Sequence, residues 1–252
     1  MKVFRMNLKN LKDNYNKNGY IIIKNILKKD KIKEIFLELE VIKLKAQKTK
    51  NNQFFHKTED GKINTLHNIQ KFYNKGKLIN IANNSKLKKI LGYILEDKIK
   101  IRNLEFFLKP KKTGMPSPFH QDNYYWNIKE AKAANVWIAL SASSKINGGL
   151  CYFKGSHKLG TIKHTISFMK GSSQKIPDEV IECLNFPKIF PAINSGDCLI
   201  HHPEIIHGSS YNKSNYDRAG FVISFATNKS KIYKDKMVEY KKNLKNNLKK
   251  IY

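Results

Sequence analysis

Apolar residues recur at intervals of three and four through Leu27–Lys45, at Ile32, Ile35, Phe36, Leu39 and Ile42. That spacing lays one apolar stripe along a helix and predicts a long amphipathic element. The same period returns over Leu78–Leu95 and ends before Asp97, and a shorter helix is expected at Leu8–Lys17. Just ahead of the first long helix, Gly19-Tyr20-Ile21-Ile22-Ile23 is aromatic and β-branched, the composition of a buried strand. Lys48–Gly61 is polar and reads as a loop.

From about Ile99 the period changes. Leu104–Leu108 reads as a strand, followed by a loop over Pro110–Pro118 with Gly114, Pro116 and Pro118 as breakers. Asn135–Ser141 is a second strand, and the turn Asn147-Gly148-Gly149 leads to Leu150–Phe153, expected to pair with it. Further strands are expected at Cys198–His202 and Gly220–Ala226, and Lys229–Tyr252 reads as a lysine-rich helix. Short strands behind packed helices predict a mainly β fold with flanking helices around a double-stranded β-helix, a jelly-roll, cupin-like core. No repeat or linker marks a second domain. The expected layout is a mostly helical part over 1–98, the jelly-roll core over 99–227 and a basic helix or tail over 228–252, all one domain.

Charge changes this picture less than its size suggests. The formal net charge is +28, but residues 113–227 carry 11 Lys+Arg against 8 Asp+Glu, a net of only +3. The excess sits outside the segment with the motifs and is almost wholly lysine, so drift of composition is favoured over nucleic-acid binding, which leans on the arginine fork. No stretch approaches the ~18 apolar residues of a membrane span, and the opening MKVFRMNLKNLKDN lacks the apolar run of a signal peptide. Cys151, Cys183 and Cys198 are odd in number and form no CxxC pair, which suggests free thiols in a reducing cytoplasm.

The candidate chemistry lies in two motifs. On a strand, His120 and Asp122 project to one side while Gln121 projects to the other, placing an imidazole beside a carboxylate. A third ligand must come from elsewhere. His201 and His202 compete for that place, and His207 is preferred because HGS and an arginine follow it. Two histidines and one carboxylate hold one face of an octahedral metal and leave the opposite positions open. Only three arginines stand among 48 cationic residues, and one of them is Arg218, eleven residues after His207. The turn-rich Asn212-Lys213-Ser214-Asn215 between them suggests a hairpin that sets His207 and Arg218 on paired strands, about 5 Å apart. There Arg218 can clamp the far carboxylate of a chelating co-substrate such as 2-oxoglutarate, with Ser209 donating a hydroxyl. Asn123, Tyr125 and Trp126 follow the HxD directly and are expected to meet a small-molecule substrate. His157 reads as a turn residue, Asp197 as part of a turn before a strand, Gly171–Lys175 as a polar lid or surface loop, and Lys109 as solvated.

The segments SPFHQDNYYW (117–126), NVWIAL (135–140), NGGLCYFKGSHKLG (147–160) and SGDCLIHHPEIIHGSSYNKSNYDRAGFVISF (195–225), with NGYIIIKNIL (18–27) more loosely, resemble the phytanoyl-CoA dioxygenase family of iron(II)- and 2-oxoglutarate-dependent oxygenases. The resemblance implies a jelly-roll core, iron(II) on His120, Asp122 and His207, 2-oxoglutarate on Arg218, and Trp137 beside that co-substrate. It further implies hydroxylation of a C–H bond at the expense of molecular oxygen, with succinate and carbon dioxide released. Related halogenases carry a small residue where this chain has Asp122, which disfavours halogenation. Monomer and homodimer are both compatible with the sequence. Two other readings stay open at this level, an inactive jelly-roll binding protein and a polyanion binder using the basic ends.

Overall fold

The computed structural model describes residues 7–49, 54–74, 76–169 and 171–251. Helix α1 (Leu8–Asn18) starts where the Asn7 side chain accepts from the Asn10 N–H. It stops at Gly19, whose φ of 80° closes the last turn onto Tyr15. Strand β1 (Tyr20–Ile23) follows, then α2 (Lys29–Lys48), which buries Ile32, Ile35, Leu39, Ile42 and Ala46 along one stripe. A short hairpin comes next, β2 (Phe55–Lys57) and β3 (Ile63–Leu66), inside and beyond the expected polar loop. The helix expected over Leu78–Leu95 is two helices, α3 (Lys77–Ala82) and α4 (Ser85–Leu95). Asn84 breaks it by capping a new N-terminus through the Leu87 N–H at 3.1 Å.

The core begins with β4 (Ile99–Lys109) and β5 (Ser117–His120), followed by α5 (Asp122–Trp126) and β6 (Ala133–Ala139). Next come β7 (Leu150–Phe153), the hairpin β8 (Thr165–Met169) and β9 (Ser172–Lys175), and α6 (Asp178–Glu182). The chain then runs through β10 (Lys188–Ile189), β11 (Cys198–His201), β12 (His207–Ser209) and β13 (Arg218–Thr227) to α7 (Lys234–Ile251). The expected tail helix thus exists up to Ile251, and Tyr252 lies outside the described residues.

Two antiparallel sheets carry the site. One has seven strands in the order β1-β11-β6-β13-β4-β3-β2, the other four in the order β10-β7-β12-β5. They form a jelly roll, mainly β, with α1–α4 packed on the outer face of the larger sheet. Alternation sorts the faces of the larger sheet. Leu104 and Phe106 on β4, with Phe221, Ile223 and Phe225 on β13, pack against Ile35, Leu39, Ile90 and Leu91 of the helices. The Phe106 and Phe221 rings lie 5.0 Å apart and are fully buried, so truncating either costs about 3–5 kcal/mol. The opposite face turns Trp137, Val222 and Leu199 toward Tyr152 of the smaller sheet. Polar residues at in-between positions of β4, β6 and β13 therefore point into the sandwich, where the chemistry lies.

One expected pairing is corrected. β6 and β7 belong to different sheets, and β7 pairs with β10 and β12. The turn at Asn147-Gly148-Gly149 therefore crosses the sandwich rather than closing a hairpin. Gly171–Lys175, read as a loop, is the turn and second strand of the β8–β9 hairpin. Among the described residues no helix is long and apolar enough to cross a membrane.

Candidate active site

His120 ends β5, and His207 opens β12 as its cross-strand neighbour, with ring centroids 4.4 Å apart. Asp122 is the first residue of α5 rather than part of the strand. The intervening Gln121 is still extended (φ −123°, ψ 131°), which preserves the same-side geometry of His120 and Asp122. Gln121 is buried and fixes that path: its amide donates to the Gly160 and Glu204 carbonyls and accepts from the Ile162 N–H. Asp122 Oδ1 lies 3.8 Å from His120 Nε2 and 3.9 Å from His207 Nε2. The three candidate ligand atoms all fall within 4.8 Å of one another.

What surrounds these atoms prepares them for a metal. His120 Nδ1 donates to the Pro118 carbonyl at 2.8 Å and His207 Nδ1 to the Ile205 carbonyl at 3.0 Å. Each bond fixes the tautomer that leaves the Nε2 lone pair free. Asp122 Oδ2 accepts from Asn135 Nδ2 at 2.9 Å and from His201 Nε2 at 3.1 Å. Tyr152 in turn donates its hydroxyl to His201 Nδ1 at 2.9 Å. One carboxylate oxygen is thus spent on the scaffold while the other faces the two imidazoles. His201, a rival for the third ligand, orients Asp122 instead. His202 accepts from the Glu204 N–H, and His157 bonds the Asn16 carbonyl, both away from the triad.

Burial holds both candidate ligand histidines near pKa 4, so their rings are neutral and competent at neutral pH. Burial alone would raise the Asp122 carboxyl, but His207, His201 and His120 outweigh it and keep Asp122 below the usual carboxylate range. Burial also brings His164 and His202 down to about 3. Below the ordinary imidazole value of about 6.5 the unfolded chain binds protons that these native rings refuse. Unfolding then takes up protons, and stability falls as pH drops from about 6.5 toward 4. Metal-free protein is expected to lose at least about 5 °C of melting temperature between pH 7 and 5. A flat profile over that interval would contradict neutral buried rings.

Farther along the interior face two cationic side chains are buried together. Arg218, 2% exposed, donates to the Gly148 carbonyl at 2.5 Å and to the Phe107 carbonyl at 3.4 Å, and its buried Nε has no partner. Its guanidinium sits 5.1 Å from the Trp137 ring centre. Burial pushes its pKa down to about 9. Directly opposite in the β4–β13 register is Lys109, 3% exposed. Its ammonium donates to Ser209 Oγ at 2.7 Å and to the Ser210 carbonyl at 2.5 Å. Burial first and Arg218 second drive the Lys109 pKa well below the usual lysine value. Two buried cations side by side, with no carboxylate bonded to either among the described residues, are costly unless an anion joins them.

The expected hairpin is corrected here. His207 lies in the four-stranded sheet and Arg218 in the seven-stranded one, so the two converge across the sandwich and are not strand neighbours. Asn212 pins the crossing loop by donating to the Lys109 and Tyr216 carbonyls, both at 2.8 Å. Lys109, read as solvated, is buried and beside Arg218. Its signal was its phase, since Glu105, Phe107 and Lys109 alternate with the helix-facing Leu104, Phe106 and Leu108.

Of the residues expected beside substrate, Tyr125 borders the site: its ring lies 5.9 Å from His120, and its hydroxyl donates to the Gln174 carbonyl at 3.2 Å. Asn123 and Trp126 are held by the scaffold. The Asn123 amide is spent on the Ile128 carbonyl, Thr161 and Glu204, while its oxygen accepts the Ile128 N–H. Trp126 packs with Ile128, Ala133 and Ala226. Asp197 accepts from the Asn25 and Asn194 N–H groups, holding a turn as expected.

Residues 15–220 match the family model described as Phytanoyl-CoA dioxygenase (PhyH). The chain belongs to the phytanoyl-CoA dioxygenase family. A phytanoyl-CoA dioxygenase of Arabidopsis thaliana is 24% identical over 247 residues, covering 83% of this chain and 85% of that protein. The peroxisomal phytanoyl-CoA dioxygenase of Mus musculus is 24% identical over 84% of this chain, which spans 66% of the mouse protein. Among solved structures, EctD from S. alaskensis with 2-oxoglutarate and 5-hydroxyectoine superposes with a TM-score of 0.71 at 16% identity, over 86% of this chain and 75% of that one.

As a member of the phytanoyl-CoA dioxygenase family the protein is a non-haem iron(II)- and 2-oxoglutarate-dependent oxygenase. Its residues fit both groups: two free imidazole nitrogens and one carboxylate oxygen suit iron(II), and the buried, unpartnered Arg218 Nε suits a carboxylate. Gly220 makes room for Trp137 beside that arginine, because a Cβ built on it would fall 2.1 Å from the indole Cζ2. Gly220→Ala is expected to displace the indole, shift tryptophan fluorescence and weaken 2-oxoglutarate at least about tenfold, in keeping with the cost of overpacking. Unchanged affinity and fluorescence would show that Trp137 does not shape the pocket.

Proposed function

We propose that the protein hydroxylates a C–H bond of a small-molecule substrate. The observation that carries this reading is Asp122, held by Asn135 and His201 with one oxygen turned toward the two histidines. With a carboxylate in that place, halide has no position beside the metal, which favours transfer of oxygen over halogen. Bound iron(II), with 2-oxoglutarate and molecular oxygen, supplies the oxidising chemistry, which ends in succinate, carbon dioxide and an oxygen atom for the substrate.

The chain's own residues bind, orient and shield. His120, Asp122 and His207 hold the metal on one face. Arg218 takes the far carboxylate of 2-oxoglutarate, and its planar fork makes two parallel bonds where lysine makes a point contact. Ser209 accepts from Lys109, so its own proton is free to be donated to the same carboxylate. Trp137 backs the guanidinium and excludes water from it, which strengthens the charge-assisted bonds. Tyr125 walls the substrate side. We place the enzyme in the cytoplasm, in keeping with buried Cys151 and Cys198, whose thiols burial raises to about 11 and about 12.

The test is substrate screening by succinate release, followed by mass spectrometry of the product formed under labelled oxygen gas. One labelled oxygen in the product per succinate supports hydroxylation. A product that gains no oxygen would assign a different oxidative outcome to the same site.

A further inference from the structure

The guanidinium of Arg218 has a counterpart at the other end of the same sheet. Of the three arginines, Arg5 lies outside the described residues, and the third is Arg102 on β4. The β4–β13 register slips between Ser224, opposite Asn103, and Phe225, opposite Ile101. Arg102 is therefore the extra residue of a β-bulge, a device that re-aims one side chain and recurs beside active sites. It lies about seven residues along the strand from Lys109, roughly 20 Å at the rise of an extended chain. Asp122, tethered to Asn135 and through it to Ser224, falls between the two ends.

The Arg102 guanidinium stacks on the Trp126 ring at 4.7 Å. Among the described residues it meets no hydrogen-bond acceptor and no carboxylate. It is half-buried, so desolvation lowers its pKa, while Glu105, Asp122 and Tyr240 pull the other way. Tyr240, brought in by α7, stands edge-on to Tyr124 at 6.0 Å and to Tyr125 at 5.9 Å, and Tyr125 borders His120. Tyr125 also packs on the cluster that holds Trp126, so contacts run from His120 through Tyr125 and that cluster to Arg102. Glu105, bonded to His67 at 2.7 Å, lies on the same strand and adds negative charge, which works against a multiply charged phosphate headgroup. A planar monoanion fits best, because the stacked guanidinium presents its donor edge in one fixed plane.

We propose that Arg102 is the substrate anchor: the compound oxidised carries a carboxylate, gripped by this guanidinium on its Trp126 platform at the end of β4 remote from Arg218. The proposal rests on the hydroxylase reading and deepens it. With the acid held there, a carbon partway along the molecule comes to rest beside the metal ligands, and α7 forms the roof through Tyr240.

The test is a binding measurement without turnover. Wild type and Arg102→Gln are held without oxygen, with iron(II) and saturating 2-oxoglutarate so that the Arg218 site is filled. Thermal shift is then read with matched probes: hexanoate and hexanamide, L-leucine and L-leucinamide, benzoate and benzamide, and hexyl phosphate. The expected result is that at least one acid raises the melting temperature while its amide and the phosphate do not. Arg102→Gln should weaken that acid at least about tenfold, the worth of one charge-assisted bond. Its 2-oxoglutarate titration should be unchanged, and Arg102→Lys should recover only part of the affinity. Acids that bind no better than amides, no binding by any acid, preference for the phosphate, or equal affinity in Arg102→Gln would each overturn the assignment. If wild type takes up no 2-oxoglutarate, the hydroxylase reading fails instead, and this inference falls with it.

Discussion

Asp122→Ala is expected to fold, to bind iron(II) at least about 100-fold more weakly than wild type, and to release no succinate. The site explains why the loss is so large. His120 and His207 remain in place, each fixed through Nδ1 to a backbone carbonyl, but two neutral imidazoles without an anion hold a divalent cation poorly. The variant also leaves the Asn135 amide and His201 Nε2–H without their acceptor in the interior. Those partners give the control. Asn135→Ala and His201→Phe keep the three candidate ligands and lose only their support, so their iron affinity should fall by about 10- to 100-fold. Calorimetric titration with iron(II) without oxygen checks the series. Equal affinities in Asp122→Ala and wild type would remove Asp122 from the ligand set.

Arg218→Met separates stability from function. In wild type the guanidinium is buried beside a second buried cation and is bonded only to carbonyl oxygens, a costly arrangement for a protein with no anion bound. An apolar side chain of similar reach removes that cost and also relieves Lys109. The metal-free variant is therefore expected to melt at or above the wild-type temperature. Its affinity for 2-oxoglutarate should nonetheless fall by about 100- to 1,000-fold, the penalty for leaving a buried carboxylate without its partner. Iron(II) affinity should be unchanged. A variant that melts lower and still binds 2-oxoglutarate normally would mean that Arg218 serves the fold and not the co-substrate.

Much of the site was legible because it is encoded locally. The HxD and the HGS with its downstream arginine each lie within a dozen residues, and the extended Gln121 delivers the expected same-side geometry even though the strand ends at His120. The helices and most core strands were legible for the same reason, since period is a local property. What was not legible is who faces whom. His207 and Arg218 look like hairpin partners in sequence, yet a loop pinned by Asn212 carries the chain from one sheet to the other. The β6–β7 segment misleads in the same way at its glycine turn. Lys109 was masked by composition: among so many lysines its phase on β4 is a weak mark, and the register opposite Arg218 makes it plain. Asn123 and Trp126 sit in the right stretch of sequence, but α5 turns Asn123 toward Glu204 and Trp126 toward Arg102.

The most direct test of the account is an anaerobic titration of the purified protein with iron(II) and 2-oxoglutarate, following the visible charge-transfer band that appears when the keto acid chelates the metal. The account predicts a band that saturates at one equivalent of iron in wild type. It should be absent in Asp122→Ala and should require at least about 100-fold more 2-oxoglutarate in Arg218→Met. A folded wild-type protein that gives no band with both present would contradict it.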